Sequence, residues 1–126
     1  MAMLCQAIRL AGHLDEALEV NIDATNRVHE ISEVDRQLFN FDVERWLTVM
    51  RGQILVLLGR FDEARPYLDR MLQTGVNPND ITLHLVSVAY VDLAWGQDDE
   101  ALANLHAEQA MTLAADSGSP YVRVAA

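Results

Sequence analysis

The chain has no lysine; all nine of its basic residues are arginine. A Schiff-base lysine and a phosphate-loop lysine are therefore excluded. Cysteine occurs once, at Cys5, which rules out an intrachain disulfide and a multi-cysteine metal site. That usage suits a reducing cytoplasm. Long apolar runs are missing too: the most apolar window, Ile81 to Trp95, is too short to span a bilayer and carries His84 and Asp92. The opening MAMLCQAIRLAG lacks the basic region and extended apolar core of a signal peptide. Positive charge is scarce, with nineteen acidic residues against nine basic and a formal net charge of −10. That balance argues against displacing counterions from a phosphate backbone, so neither nucleic acid nor an anionic membrane is an expected partner. No His-Glu-x-x-His, no phosphate-cradling glycine loop and no Gly-x-Ser-x-Gly elbow occurs.

What is present is a chain of 126 residues, half of them apolar, enough for one domain with a core of its own. Sixteen alanines beside the all-arginine basic set suggest a GC-rich bacterial coding sequence. One phrase recurs. AGHLDEALEV, LGRFDEARPY and WGQDDEALAN each read Gly-x-x-Asp-Glu-Ala, with glycines at 12, 59 and 96. Spacings of 47 and 37 residues fall where self-similarity signals stacked helical hairpins. Glycine suits the left-handed end of a helix. Asp and Glu suit the start of the next one, at the positive end of its dipole. Alanine lets two antiparallel helices approach closely.

Apolar periodicity supplies the helices. Val43, Trp46, Leu47, Met50, Ile54, Leu57 and Leu58 follow steps of three and four along one face, behind Asp42 as cap. The partner helix, about Asp62 to Gln73, buries Ala64, Leu68, Met71 and Leu72, with Pro66 near its first turn. Thr74 to Asp80 is a loop with Asp80 as the next cap. Ile81 to Trp95 and Asp99 to about Ala115 form the third hairpin. Ser119 and Pro120 open a final short helix after Gly118. The first hairpin is Met3 to Ala11 followed by about Leu14 to Ile31, and Ser32 to Phe41 is a long connection. No alternating run reads as a strand. The expected fold is all-α: hairpins at about 3–31, 42–73 and 81–115, plus a stub at 119–126, in a single domain.

This pattern resembles the tetratricopeptide (TPR) repeat family. The resemblance rests on the thrice-used turn and on Gly52, seven residues before Gly59, where that family places a small residue for close helix crossing. Ala89 stands in the same relation to Gly96; Leu68 and Leu105, four after the alanine, take the large apolar position, from which Asn21 in the first unit departs. A unit-ending proline is found only at Pro78, and the spacing is uneven. The resemblance implies an α-solenoid, similar to the helical-repeat regions of bacterial LuxR-type ATPase regulators and class III nucleotide cyclases. In those GSPYVRVAA would open another unit, so the chain is expected to be a piece of a larger protein or a small free-standing relative. It further implies a non-catalytic interaction or regulatory module that binds a protein or peptide. Exposed end hairpins, partly covered by Tyr121 and Val122, could make it a homodimer. The groove would be lined by first-helix residues: Trp46, Val49, Gln53 and Val56 in the second unit, Leu83, Val86, Tyr90 and Leu93 in the third. These are mostly apolar, so either an apolar partner or the neighbouring helices of a tighter superhelix must cover them.

Individual candidates for chemistry are few. His29 with Glu33 has the i, i+4 spacing of a metal pair, but two ligands are too few and a surface pairing accounts for it. Neither metal nor cofactor is expected. Cys5, among Leu4, Ala7 and Ile8, reads as an inert thiol. Asp98 to Glu100 reads as helix-start punctuation. His84, Ser87 and Asp92 fall along one stripe of an otherwise apolar helix. Such a stripe serves either as a core hydrogen-bond network with an arginine or as a polar lining of the groove. In the latter case His84, Tyr90, Asp92 and Gln53 would form a small-molecule sensor controlling an attached cyclase, ATPase or DNA-binding domain. No enzymatic constellation exists.

Overall fold

A computed structural model describes residues 2–38, 43–73 and 81–117. Within them the chain is entirely helical, with no strand. Helix α1 (Ala2–Leu10) turns into α2 (Leu14–Asn26), α4 (Val43–Leu57) into α5 (Phe61–Gln73), and α6 (Ile81–Gly96) into α7 (Glu100–Ser117). Each turn takes three residues, so each pair is an antiparallel hairpin. Between the first two hairpins lie a 3-10 turn, Val28–Glu30, and a short helix α3, Glu33–Leu38. The expected caps Asp42 and Asp80, the loop 74–80 and the stub at 119–126 with Tyr121 and Val122 lie outside the described residues.

The three corners are one structure. His13 N donates to Ile8 O at 3.2 Å, Arg60 N to Leu55 O at 2.8 Å, and Asp99 N to Ala94 O at 2.8 Å. Each closes a turn five residues back, in the manner of a Schellman cap. The residue before each donor is left-handed: Gly12 at φ +85°, Gly59 at +76° and Asp98 at +59°. Four residues after each donor, Ala17, Ala64 and Ala103 return an N–H to the donor's own carbonyl, and all three alanines are buried.

This register corrects the sequence reading of the third unit. The left-handed residue is Asp98, not Gly96, and the corners stand 47 and 39 residues apart (12 to 59, 59 to 98). Gly96 instead ends α6, because a Cβ there would lie 2.5 Å from the ring of Phe61. Ala101 is exposed and Ala103 takes its place; Leu105, expected in the large apolar position, is half exposed. Seven residues before the corner, Cys5 and Gly52 are equivalent, and Val91 rather than Ala89 completes the set.

The acidic pairs help the helix dipole in two units and cap in the third. Asp15 and Glu16, like Asp62 and Glu63, sit in the first turn of their helices. His13, the residue ahead of α2, makes no side-chain cap bond. Only Asp99 accepts a backbone N–H with its side chain, from Leu102 at 3.0 Å. Arg60 reaches forward to Glu63 instead, at 2.8 and 2.6 Å.

Helix α2 stops earlier than Ile31. The Thr25 hydroxyl bonds back to Asn21 O, and Arg27 N is shared between Asp23 O and Ala24 O, which tightens the last turn. Helix α3 follows a cap of its own: Ser32 Oγ accepts from Asp35 N at 3.1 Å and donates to the Asp35 carboxylate at 2.7 Å. Helix α5 starts one residue earlier than expected, which places Pro66 in its second turn, where it forfeits the bond to the exposed Asp62.

Helix α4 is the centre of the packing. It touches α1 and α2 on one side and α5 and α6 on the other. Met50 and Ile54 meet Cys5 and Ala17 in one apolar cluster, while Val49, Leu55 and Val56 meet Leu68, Val86 and Leu93 in a second. At Gly52 the absent side chain is required, since a Cβ would stand 2.6 Å from Leu68 Cδ2.

Candidate functional site

Several of the residues expected to line a groove are inside the packing. Val49, Gln53, Val56 and Tyr90 are buried between helices of this chain. Gln53 Nε2 donates to Leu85 O at 3.4 Å, tying α4 to α6. Trp46 is half-buried and packs on the cluster around Cys5 and Met50. His84 belongs to α6, but its side chain lies outside the described part. Asp92 is exposed, and Ser87, assigned to the same stripe, is buried. Neighbouring helices still crowd Asp92 enough to raise its carboxyl pKa by desolvation, with the Arg9 charge opposing the rise.

Two polar clusters hold the helices in register. On one side Asn21, fully buried, donates to Leu47 O at 2.9 Å and accepts from Arg51 Nε at 2.8 Å. The same arginine donates from Nη2 to Thr25 Oγ1 at 3.0 Å and lies over the Tyr67 ring, 5.3 Å from its centroid. The departure of Asn21 from the apolar pattern thus has a partner waiting on α4. On the other side the Tyr90 hydroxyl donates to the Asp69 carboxylate, and its ring stacks on His106 at 4.6 Å and 14°. Burial first, then the Asp69 bond and charge, pushes the Tyr90 phenol pKa up. Sequence reasoning placed Tyr90 in a groove; Asp69 and His106 carried no pattern that would have linked them to it.

A surface that the sequence did not announce runs along the corners. Leu10 ends α1, Leu57 ends α4 and Trp95 stands in the last turn of α6; they are 70, 46 and 76% exposed. The corners share one end of the packing. Gly96 abuts Phe61, Arg65 Nη2 reaches Gln97 Oε1 at 2.7 Å, and Leu58 packs on the cluster of Cys5 and Ile8. A large apolar side chain is thus exposed near each corner, two residues before the left-handed position at Leu10 and Leu57 and three before it at Trp95. Isolated exposed apolar residues need no explanation, but their recurrence beside three equivalent corners does.

Among the described residues, no group of three or more His, Cys, Asp or Glu side chains could hold a metal ion, and no helix is long and apolar enough to cross a membrane. Cys5 is buried, donates to Ala17 O at 3.3 Å, and its thiol pKa is raised by burial. No family model, curated protein or solved structure matches this chain.

Proposed function

We propose that the chain is a tetratricopeptide-like solenoid segment that acts without catalysis as a docking module for another protein, in a cytoplasmic bacterial signalling assembly. The observation that supports the reading is the exposure of Leu10, Leu57 and Trp95 near the ends of three helices with equivalent corners. Stacked hairpins present repeated positions in a line, and a partner segment can engage such a line at several points. The apolar row calls for apolar anchors on the partner, and the net charge of −10 favours basic flanks and faster encounter with a cationic surface. A second copy of the chain, equally acidic, is the weaker fit. The sensing alternative built on His84, Tyr90, Asp92 and Gln53 gains less support, because Gln53 and Tyr90 are engaged with Leu85 and Asp69 inside the packing.

Site-specific photo-cross-linking in the native host tests this reading. A benzophenone amino acid at position 57 or 95 should trap an adduct of one discrete mass, and the same group at the exposed Glu30 should trap none. No adduct from either edge position, or the same spread of adducts from position 30, would overturn it.

A further inference from the structure

Helices α2 and α5 both pack on α4 but share no extensive contact of their own. Between them a cleft of about 360 Å³ opens, at the lower end of the size range of small-ligand sites. Leu18 and Ile22 of α2 form one wall, Tyr67 and Pro66 of α5 the other, and Leu55 and Arg51 of α4 the floor. Ile22 is 42% exposed, an apolar side chain facing the cleft without full cover.

The charge of this cleft is opposite to that of the chain. Three of the nine arginines line it, Arg51, Arg60 and Arg70, against the single carboxylate of Glu63. Arg60 is committed to Glu63 through two bonds. Arg70 has no hydrogen bond or ion pair among the described residues. Arg51 is fixed from behind: Asn21 holds Nε, Thr25 holds Nη2, and Tyr67 supports the plane, leaving Nη1 without a protein acceptor among the described residues. A guanidinium held in this way loses little freedom when its Nη1 meets an oxyanion. Salt-bridging a carboxylate with Arg51 and Arg70 while an apolar body lies on Leu18, Ile22 and Leu55 would use every feature of the cleft.

We infer that the α2/α5 cleft is a binding site for a small organic carboxylate with an apolar body, an arylalkanoate or medium-chain alkanoate. The site is separate from the corner edge, and its test does not depend on the protein partner proposed above.

The probe is 4-phenylbutyrate, titrated into the whole 15N-labelled chain and followed by two-dimensional NMR, with 4-phenylbutyramide and inorganic phosphate as comparators. The expected result is saturable shifts at Ile22, Leu55, Tyr67 and the Arg51 side-chain N–H. The amide and phosphate should bind at least tenfold more weakly. Arg70→Gln, a change on an exposed side chain, should weaken the acid about tenfold and leave the amide unchanged. Arg51→Lys, which keeps the charge but loses the Asn21 and Thr25 bonds that hold the donor in place, should weaken the acid as well. The inference is overturned if the cleft resonances do not move at millimolar acid, if the amide or phosphate binds as tightly, or if Arg70→Gln has no effect.

Discussion

Replacing Gly52 by alanine sets two effects of known size against each other. In a helix interior, Ala is favoured over Gly by about 1 kcal/mol. Against this, the new Cβ would stand 2.6 Å from Leu68 Cδ2 and 2.9 Å from Cγ, where contact between carbons is comfortable at about 3.5–4.0 Å. Leu68 is fully buried and cannot swing away. Overpacking of this kind costs roughly 1–3 kcal/mol. The expected net effect of Gly52→Ala is a destabilisation of about 1 kcal/mol. Urea unfolding followed by circular dichroism at 222 nm would register it as a midpoint about 0.5 M lower, for a slope near 2 kcal/mol/M. The decisive form is a double-mutant cycle with Leu68→Ala. That truncation alone costs about 2–5 kcal/mol through the cavity it leaves. In its background the clash partner is gone, so Gly52→Ala should stabilise, giving a coupling of about 2 kcal/mol between the sites. Alanine at 52 that stabilises both backgrounds equally would refute the close α4/α5 crossing.

Asp98→Gly should raise stability by up to about 1 kcal/mol, because an L-residue at φ +59° carries a cost that glycine escapes; Gly96→Ala, whose Cβ would meet Phe61, should lower it, and a thermal melt distinguishes the two. Asn21→Ala should cost roughly 2–3 kcal/mol, since it removes a buried bond to Leu47 O and the acceptor that orients Arg51; denaturant midpoints check it. Tyr90 supplies a pH dependence. The folded chain holds the phenol proton more tightly than the unfolded chain, whose phenol titrates near 10. Its contribution is complete below that pH and is lost as pH rises through the alkaline range toward the folded value. Tyr90→Phe should therefore flatten the alkaline fall in stability and delete the last step of the tyrosinate absorbance titration.

Periodicity and punctuation carried the helices. The apolar steps from Val43 to Leu58 and the glycines at 12 and 59 place α4 and two of the three corners where they stand. The third corner shows the limit of string matching. WGQDDEALAN contains both the glycine phrase and, two residues later, the set Asp98, Asp99 and Ala103 that the fold uses. Aspartate is among the few residues that tolerate the left-handed region, and the choice between the two registers falls to Phe61, which needs the bare backbone of Gly96. That contact is 35 residues away in the chain and has no local signature. The cap on α3 was legible in Ser32-Glu33-Val34-Asp35, but the segment from Ser32 to Phe41 was read as a connection.

The groove residues were less legible. A first-helix position reads the same whether an outside partner or the next hairpin covers it, and here Val49, Val56 and Tyr90 are covered by helices of the chain itself. Polar pairs such as Tyr90 with Asp69, or Arg51 with Asn21, join residues 21 and 30 positions apart, a separation at which spacing alone carries no information. The exposure of Leu57 was hidden for the opposite reason: it continued the core-facing step pattern of its helix, yet at the helix end it is only partly covered.

Amide hydrogen exchange at the corners is the shortest route to the claim that three equivalent hairpins build this chain. The amides of His13, Arg60 and Asp99, each bonded five residues back, should exchange slowly as a set, while those of Leu14, Phe61 and Glu100, at the open start of the following helices, exchange fast. An Asp99 amide exchanging at the open-chain rate while His13 and Arg60 stay protected would contradict it.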